Sequence, residues 1–264
     1  MRYPSTSPLA VNTHPIGEVP LGTSLRRSSA APVPRPTAVI LDLFGTLVAA
    51  PSAVERSAAA AEFAAVMRVS AEVVESALSG SWRARHDGQL RSTTEVAIHL
   101  AARCNASTAC TDELEALLAR LAHHRLRTDE TLLHALDELR DRGVRLGLLS
   151  DASPDIAEVW RRSELAPHFD AVVFSCRAGA VKPDRQLFVA ALGELRVAPI
   201  QTLYCGDGGG DELGGAERAG IRALRVARRG GMTGLAFGEI AWHGTAIPDV
   251  EALPSLLDRW GIDE

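Results

Sequence analysis

The sequence has no surplus of positive charge: 28 Lys and Arg stand against 33 Asp and Glu, a formal net charge of −5. No run of Lys and Arg is interleaved with aromatics, so the electrostatic footprint of a nucleic-acid binder is missing and nucleic acid is not an expected partner. Nor does any stretch approach the ~18 consecutive apolar residues that a membrane-crossing helix needs, so no membrane is expected either. Cysteine is scarce. Cys104, Cys110, Cys176 and Cys205 include no C-x-x-C pair, and two of them lie in or beside apolar, strand-like runs. They read as free thiols of a reducing cytoplasm, the expected location. The eight histidines show no ligand spacing; His123 and His124 are adjacent and so leave a helix in different directions. What is present, 264 residues of which 46% are hydrophobic and 23% charged, suits a globular protein of one large domain or two small ones.

Residues 1–36 hold seven of the fourteen prolines, with many Ser and Thr and no apolar period. They are expected to form an extended, disordered tail whose removal leaves Tm nearly unchanged. The Arg26-Arg27 pair within it is followed by Ser-Ser-Ala-Ala-Pro-Val-Pro, which lacks the apolar core of an export signal.

The chain is organised around Ala38-Val39-Ile40-Leu41-Asp42-Leu43-Phe44-Gly45-Thr46-Leu47. An apolar run that ends abruptly in a carboxylate and a Gly-Thr turn reads as a buried strand delivering Asp42 to the edge of a sheet. The plainer alternative makes Asp42 a cap for the following turn. Residues 51–127 then become rich in Ala, Leu, Arg and Glu without strand alternation, which predicts a helical insertion. Ser70 and Thr111 are its expected N-caps, and Leu114, Leu117, Leu118 and Leu121 fall on one helical stripe. Between them, Ser81-Trp82-Arg83-Ala84-Arg85-His86-Asp87-Gly88 reads either as a solvated helix face with one packed Trp or as a place where Arg85 and His86 meet an anionic substrate.

From Asp129 strands and helices alternate. A helix over 129–142 ends at Gly143, and Val144–Leu149 is a strand delivering Ser150 and Asp151. A helix starts at Pro154; Ala171–Phe174 is a strand, and the following loop carries Lys182. A helix over 184–196 turns Leu187, Phe188, Ala191, Leu192 and Leu195 inward, and Thr202–Cys205 is a strand leading to Gly206-Asp207-Gly208-Gly209-Gly210-Asp211-Glu212. This pattern predicts an α/β fold with a parallel sheet covered on both faces. In such a sheet the strand ends share one edge, so Asp42, Ser150, Lys182 and Asp207 are expected to meet in one pocket. A carboxylate nucleophile, a hydroxyl and an ammonium for an anion, and further carboxylates for a hard cation such as Mg²⁺ make a coherent chemical set.

Asp42-Leu43-Phe44-Gly45-Thr46-Leu47, Leu149-Ser150, Val181-Lys182-Pro183-Asp184 and Gly206-Asp207-Gly208-Gly209-Gly210-Asp211-Glu212, in this order, resemble the four motifs of the haloacid dehalogenase-like hydrolase superfamily. The resemblance covers about residues 37–260. It implies a Rossmann-like core over 37–50 and 128–264 and a helical cap domain over 51–127, inserted after the first motif. It also implies a Mg²⁺-dependent phosphatase of a small phosphorylated metabolite, working through an aspartyl-phosphate. By position, Asp42 would be nucleophile and metal ligand, and Ser150 and Lys182 would bind phosphoryl oxygens. Asp207 and the Phe44 backbone carbonyl would complete the metal site with Asp211 or Glu212, the register slightly favouring Glu212. Thr46, Asp151, Arg85 and His86 are further candidates for substrate binding. One position departs from the pattern: the phosphatases usually carry a second Asp two residues after the nucleophile as general acid and base, and here that residue is Phe44. Three readings follow. A phosphatase would use water, a cap residue such as His86 or Asp87, or a good leaving group such as an acyl phosphate. A dehalogenase would need no proton for its leaving group, although Asp207 looks built for a metal that halide displacement does not require. A phosphate-ligand binder would turn over little.

Overall fold

The computed structural model describes residues 34–227 and 241–260. The expected tail therefore lies almost wholly outside the described residues, although the chain already packs at Pro36, which is buried. Ala38–Leu41 forms β1, and all four of its residues are inaccessible to solvent. A strand of Ala, Val, Ile and Leu has no polar face to offer water and can be stable only at the centre of a covered sheet. It is flanked on both sides by parallel strands.

The helices α1 (Ala53–Met67), α2 (Ala71–Gly80), α3 (Trp82–His86), α4 (Thr93–Arg103) and α5 (Thr111–Arg125) follow, then α6 (Glu130–Asp141) and β2 (Arg145–Ser150). The remainder alternates: α7 (Pro154–Val159), β3 (Ala171–Phe174), α8 (Ser175–Ala178), α9 (Arg185–Leu195), β4 (Thr202–Gly206), α10 (Glu212–Arg218), β5 (Arg222–Val226), β6 (Ala246–Ile247) and α11 (Leu253–Asp258). The strands form one parallel sheet in the order β3-β2-β1-β4-β5-β6. This is the doubly wound, Rossmann-like α/β arrangement, in which strand order reverses beside β1 and ligands bind past the carboxyl ends at that point.

Alternation along the strands divides the core. Val39, Leu41, Leu146, Leu148, Leu203 and Cys205 face one layer, with Leu132, Leu136 and Leu139 of α6. Ala38, Ile40, Leu149 and Tyr204 face the other, with Leu187, Phe188, Ala191, Leu192 and Leu195 of α9, the five residues expected to point inward. Gly147 makes the second layer possible, because a Cβ there would lie 2.7 Å from Leu195 Cδ1.

The five helices after β1 have an apolar cluster of their own, built on Phe63, Met67, Val96, Leu100, Leu114, Leu117 and Leu118. The end of α5 leaves that cluster: Ala122 and Leu126 pack in the sheet's first layer. Ser70 occupies the expected N-cap of α2, but its hydroxyl makes no cap hydrogen bond. Thr111 is not a cap. It is the first helical residue of α5, and its hydroxyl donates to Thr108 O at 2.6 Å, because a short 3₁₀ turn capped by Ser107 feeds directly into the helix. All four cysteines are free thiols. Among the described residues, no helix is long and apolar enough to cross a membrane.

Candidate active site

Asp42 follows β1 and continues its ladder, its N–H donating to Cys205 O at 2.9 Å. That bond fixes Asp42 beside the end of β4, where Asp207 emerges. The chain then turns at Gly45, whose φ is +86°. A Cβ at Gly45 would lie 2.0 Å from Asp207 Oδ2, so the turn needs glycine for its backbone and for its closeness to the second carboxylate. Thr46, one residue on, donates its hydroxyl to Asp42 Oδ2 at 3.2 Å.

Lys182 arrives from the loop after α8 and is buried. Its Nζ donates to Asp42 Oδ1 and to Glu212 Oε2, each at 2.5 Å, and lies 3.3 Å from the Tyr204 hydroxyl. Tyr204 in turn donates to Glu212 Oε2 at 2.6 Å, while Gly208 N donates to Glu212 Oε1 at 2.9 Å. Burial alone would pull the Lys182 ammonium down, but Asp42 and Glu212 outweigh it and hold the ammonium protonated, well above the usual lysine range. Burial pushes the Asp42 carboxyl up and Lys182 pulls it back. Asp207, held by Gly209 N at 2.9 Å, is raised to about 6, first by burial and then by Glu212 beside it.

Asp42, Asp207 and Glu212 each bring a carboxylate oxygen within 4.8 Å of the others. Three carboxyl groups, two buried and one half-buried, share a single ammonium, and the donors are all hard oxygens. Both features suit a divalent cation such as Mg²⁺. Sequence position left Asp211 and Glu212 as alternatives, and the structure separates them. Asp211 stands just before α10 with φ +58° and pairs with Arg218 at 2.8 Å, outside the cluster. Glu212, the first residue of α10, turns inward and is 1% exposed.

Ser150 ends β2, is fully buried, and its Oγ has no hydrogen-bond partner. A hydroxyl costs about 1–3 kcal/mol when buried unpaired, so such an atom at a sheet edge is suited to a ligand. Asp151 accepts the Lys182 backbone N–H on Oδ1 at 3.0 Å, which ties the lysine loop to the end of β2.

Arg85 and His86 are not brought to the carboxylates. Arg85 spends its donors on Ser81 Oγ and Leu78 O, at 3.2 and 2.8 Å, and the charged groups acting on it are Asp155 and Arg125. His86 stacks on Trp82 with ring centroids 4.3 Å apart, its Nδ1 2.7 Å from Trp82 O. Burial and then the Arg85 charge lower it to about 3, so it is neutral at pH 7 and unsuited to be a general acid. Phe44 is partly buried against the first apolar layer. Sequence reasoning missed Tyr204. The available signal was a hydroxyl-bearing aromatic in an otherwise apolar strand, three residues before Asp207, where a buried phenol must find a partner.

Residues 36–220 match the haloacid dehalogenase-like hydrolase family. The chain belongs to this family. Among curated proteins, the haloacid dehalogenase-like chain is 40% identical over 94 residues to the phosphoserine phosphatase of Thermus thermophilus, covering 35% of this chain and 38% of that one. It is 31% identical over 100 residues to the glyceraldehyde 3-phosphate phosphatase of Methanopyrus kandleri, covering 37% and 42%. These matches thus span about two-fifths of the relatives' lengths. Among solved structures, a 2-haloacid dehalogenase from Pseudomonas syringae pv. tomato superposes with a TM-score of 0.63 at 23% identity, covering 85% of this chain and 99% of that one. A phosphatase from Thermococcus onnurineus does so with a TM-score of 0.61 at 19% identity, covering 84% and 97%. Dehalogenases and phosphatases share this fold, so the fold does not choose between them.

Proposed function

We propose that this hydrolase is a Mg²⁺-dependent phosphatase of a small phosphorylated metabolite, with Asp42 as nucleophile. The observation that carries the reading is the cluster of Asp42, Asp207 and Glu212 around Lys182. A halide displacement needs one carboxylate and no cation, so a second buried carboxylate and a third, half-buried one beside it would be a cost without a use. The two phosphatase relatives support the same choice.

The side chains divide the work. Asp42 attacks phosphorus, and the P–O bond to the leaving group breaks as the Asp42 O–P bond forms; water then hydrolyses the aspartyl-phosphate. Lys182 lowers the repulsion between Asp42 and an anionic substrate and stabilises charge on the phosphoryl oxygens. The unpartnered Ser150 hydroxyl donates to one of those oxygens, and Thr46 holds Asp42 by its second oxygen. Tyr204 and Gly208 fix Glu212. Asp42, Asp207, Glu212 and the Phe44 carbonyl would hold Mg²⁺, which when bound neutralises and polarises the phosphoryl group. Helices α1–α5 serve as the cap that covers the site and selects the substrate.

Inorganic phosphate release from a panel of phosphate monoesters and acyl phosphates tests the reading. Release is expected with Mg²⁺, to vanish with EDTA, and to fall below a hundredth in Asp42→Asn. Halide release from a 2-haloacid without metal would instead establish the dehalogenase that Phe44 also permits. Tight phosphate-ligand binding without turnover would mark a binder.

A further inference from the structure

An alkoxide is a poor leaving group, and an enzyme that cleaves alkyl phosphates needs an acid beside the departing oxygen and a base for water. Phe44 supplies neither. His86 is neutral and stacked, Asp211 is paired with Arg218, and Asp42, Asp207 and Glu212 are committed to the nucleophile and the cation cluster. Among the described carboxyl groups that follow β2, Asp151 and Asp155 remain; Asp155 is buried in the first turn of α7, whereas Asp151 is partly exposed. Asp151 follows Ser150, whose hydroxyl is free for the phosphoryl group, at the end of the strand that pairs with β1. One of its oxygens is fixed by the Lys182 N–H at 3.0 Å, and the residue is partly exposed.

We propose that Asp151 is the general acid and base of this site, taking the part that Phe44 cannot. The proposal rests on the phosphatase reading. The Asp151 carboxyl gives its proton to the leaving oxygen as the P–O bond breaks and the Asp42 O–P bond forms. The resulting Asp151 carboxylate then takes a proton from water as the water oxygen bonds to phosphorus and the Asp42 O–P bond breaks. Alcohol and inorganic phosphate leave, and Asp151 is again protonated. Burial raises this carboxyl above the usual aspartate range, Lys182 opposes the rise and Glu212 adds to it, a direction that favours proton donation.

Asp151→Asn is the informative variant, because the amide oxygen still accepts the Lys182 N–H and only the proton is lost. The measurement is kcat/KM with Mg²⁺ across a series from p-nitrophenyl phosphate, whose leaving group needs no proton, to alkyl phosphates. The expected result is a fall of ~10²–10⁴ for the alkyl esters with p-nitrophenyl phosphate little changed. A burst of p-nitrophenol is expected as well, because the phosphoenzyme then hydrolyses slowly. An equal loss on every ester would assign Asp151 to positioning Lys182, and no loss on any would leave it without a part in turnover; either result would overturn the proposal. A selective loss in Asp155→Asn instead, where a buried carboxyl oxygen also lacks a partner, would overturn it too. Wild-type protein that releases phosphate from no ester would overturn the phosphatase reading itself, and this proposal with it.

Discussion

Lys182 shows how a single side chain sets the electrostatics of the site. Without it, Asp42 and Glu212 would be two buried carboxylates with no cation between them; with it, both are salt-bridged at 2.5 Å. Such an arrangement is a poor source of stability, since desolvation offsets most of the Coulombic gain, and it is better understood as preorganisation for an incoming anion. His86 is the opposite case, a titratable group kept out of the chemistry. Its folded value of about 3 lies below the usual 6.5, so the unfolded chain binds a proton that the folded chain refuses. Its contribution to stability is therefore present above pH 6.5 and is lost as pH falls toward about 3. His86→Gln is expected to flatten the loss of stability over that window, measured as the urea midpoint at successive pH values against wild type. An unchanged slope would show that His86 is protonated in the folded protein.

Elements place these residues more strictly than sequence spacing suggests. The turn after β1 must bring Asp207 against its own backbone, and the Cβ that Gly45 lacks would sit 2.0 Å from the carboxylate. Gly45→Ala is expected to destabilise the fold by about 1 kcal/mol or more, since φ is +86°. It should also cut metal-dependent turnover about tenfold or more by displacing Asp207. A variant with wild-type activity and urea midpoint would contradict this account of the turn. A different junction holds the helices after β1 to the sheet. Thr93, at the start of α4, donates its N–H and hydroxyl to Glu158 of α7 at 3.0 and 2.7 Å. Gly88 packs against Gly179, a Cβ there falling 2.9 Å from the Gly179 Cα. The segment expected either to be solvated or to read an anion thus serves as packing between α3 and α8.

At the scale of the molecule, strands were legible because apolar runs are short and punctuated, and β3 falls on the residues expected. The meeting of Asp42, Lys182 and Asp207, with Ser150 at the end of the neighbouring strand, was legible because parallel strands end along one edge however far apart they lie in sequence. What could not be read depended on side-chain direction. Whether Asp211 or Glu212 turns inward is settled by where α10 begins, a matter of one residue and a left-handed backbone step. Tyr204 was hidden because its ring satisfies the apolar pattern of β4 and only its hydroxyl, reaching Glu212, betrays a second role. Arg85 and His86 looked like substrate contacts by charge alone, while their partners are set by packing among helices.

The most direct test of the central claim is to mix the protein with a turned-over phosphate ester and Mg²⁺, quench in acid during turnover, and map the phosphoryl group by mass spectrometry. With Asp42 as nucleophile, one phosphoryl group is expected on the peptide that contains Asp42, absent in Asp42→Asn and absent when Mg²⁺ is chelated. Turnover with no phosphorylated peptide, or with the label on another residue, would contradict it.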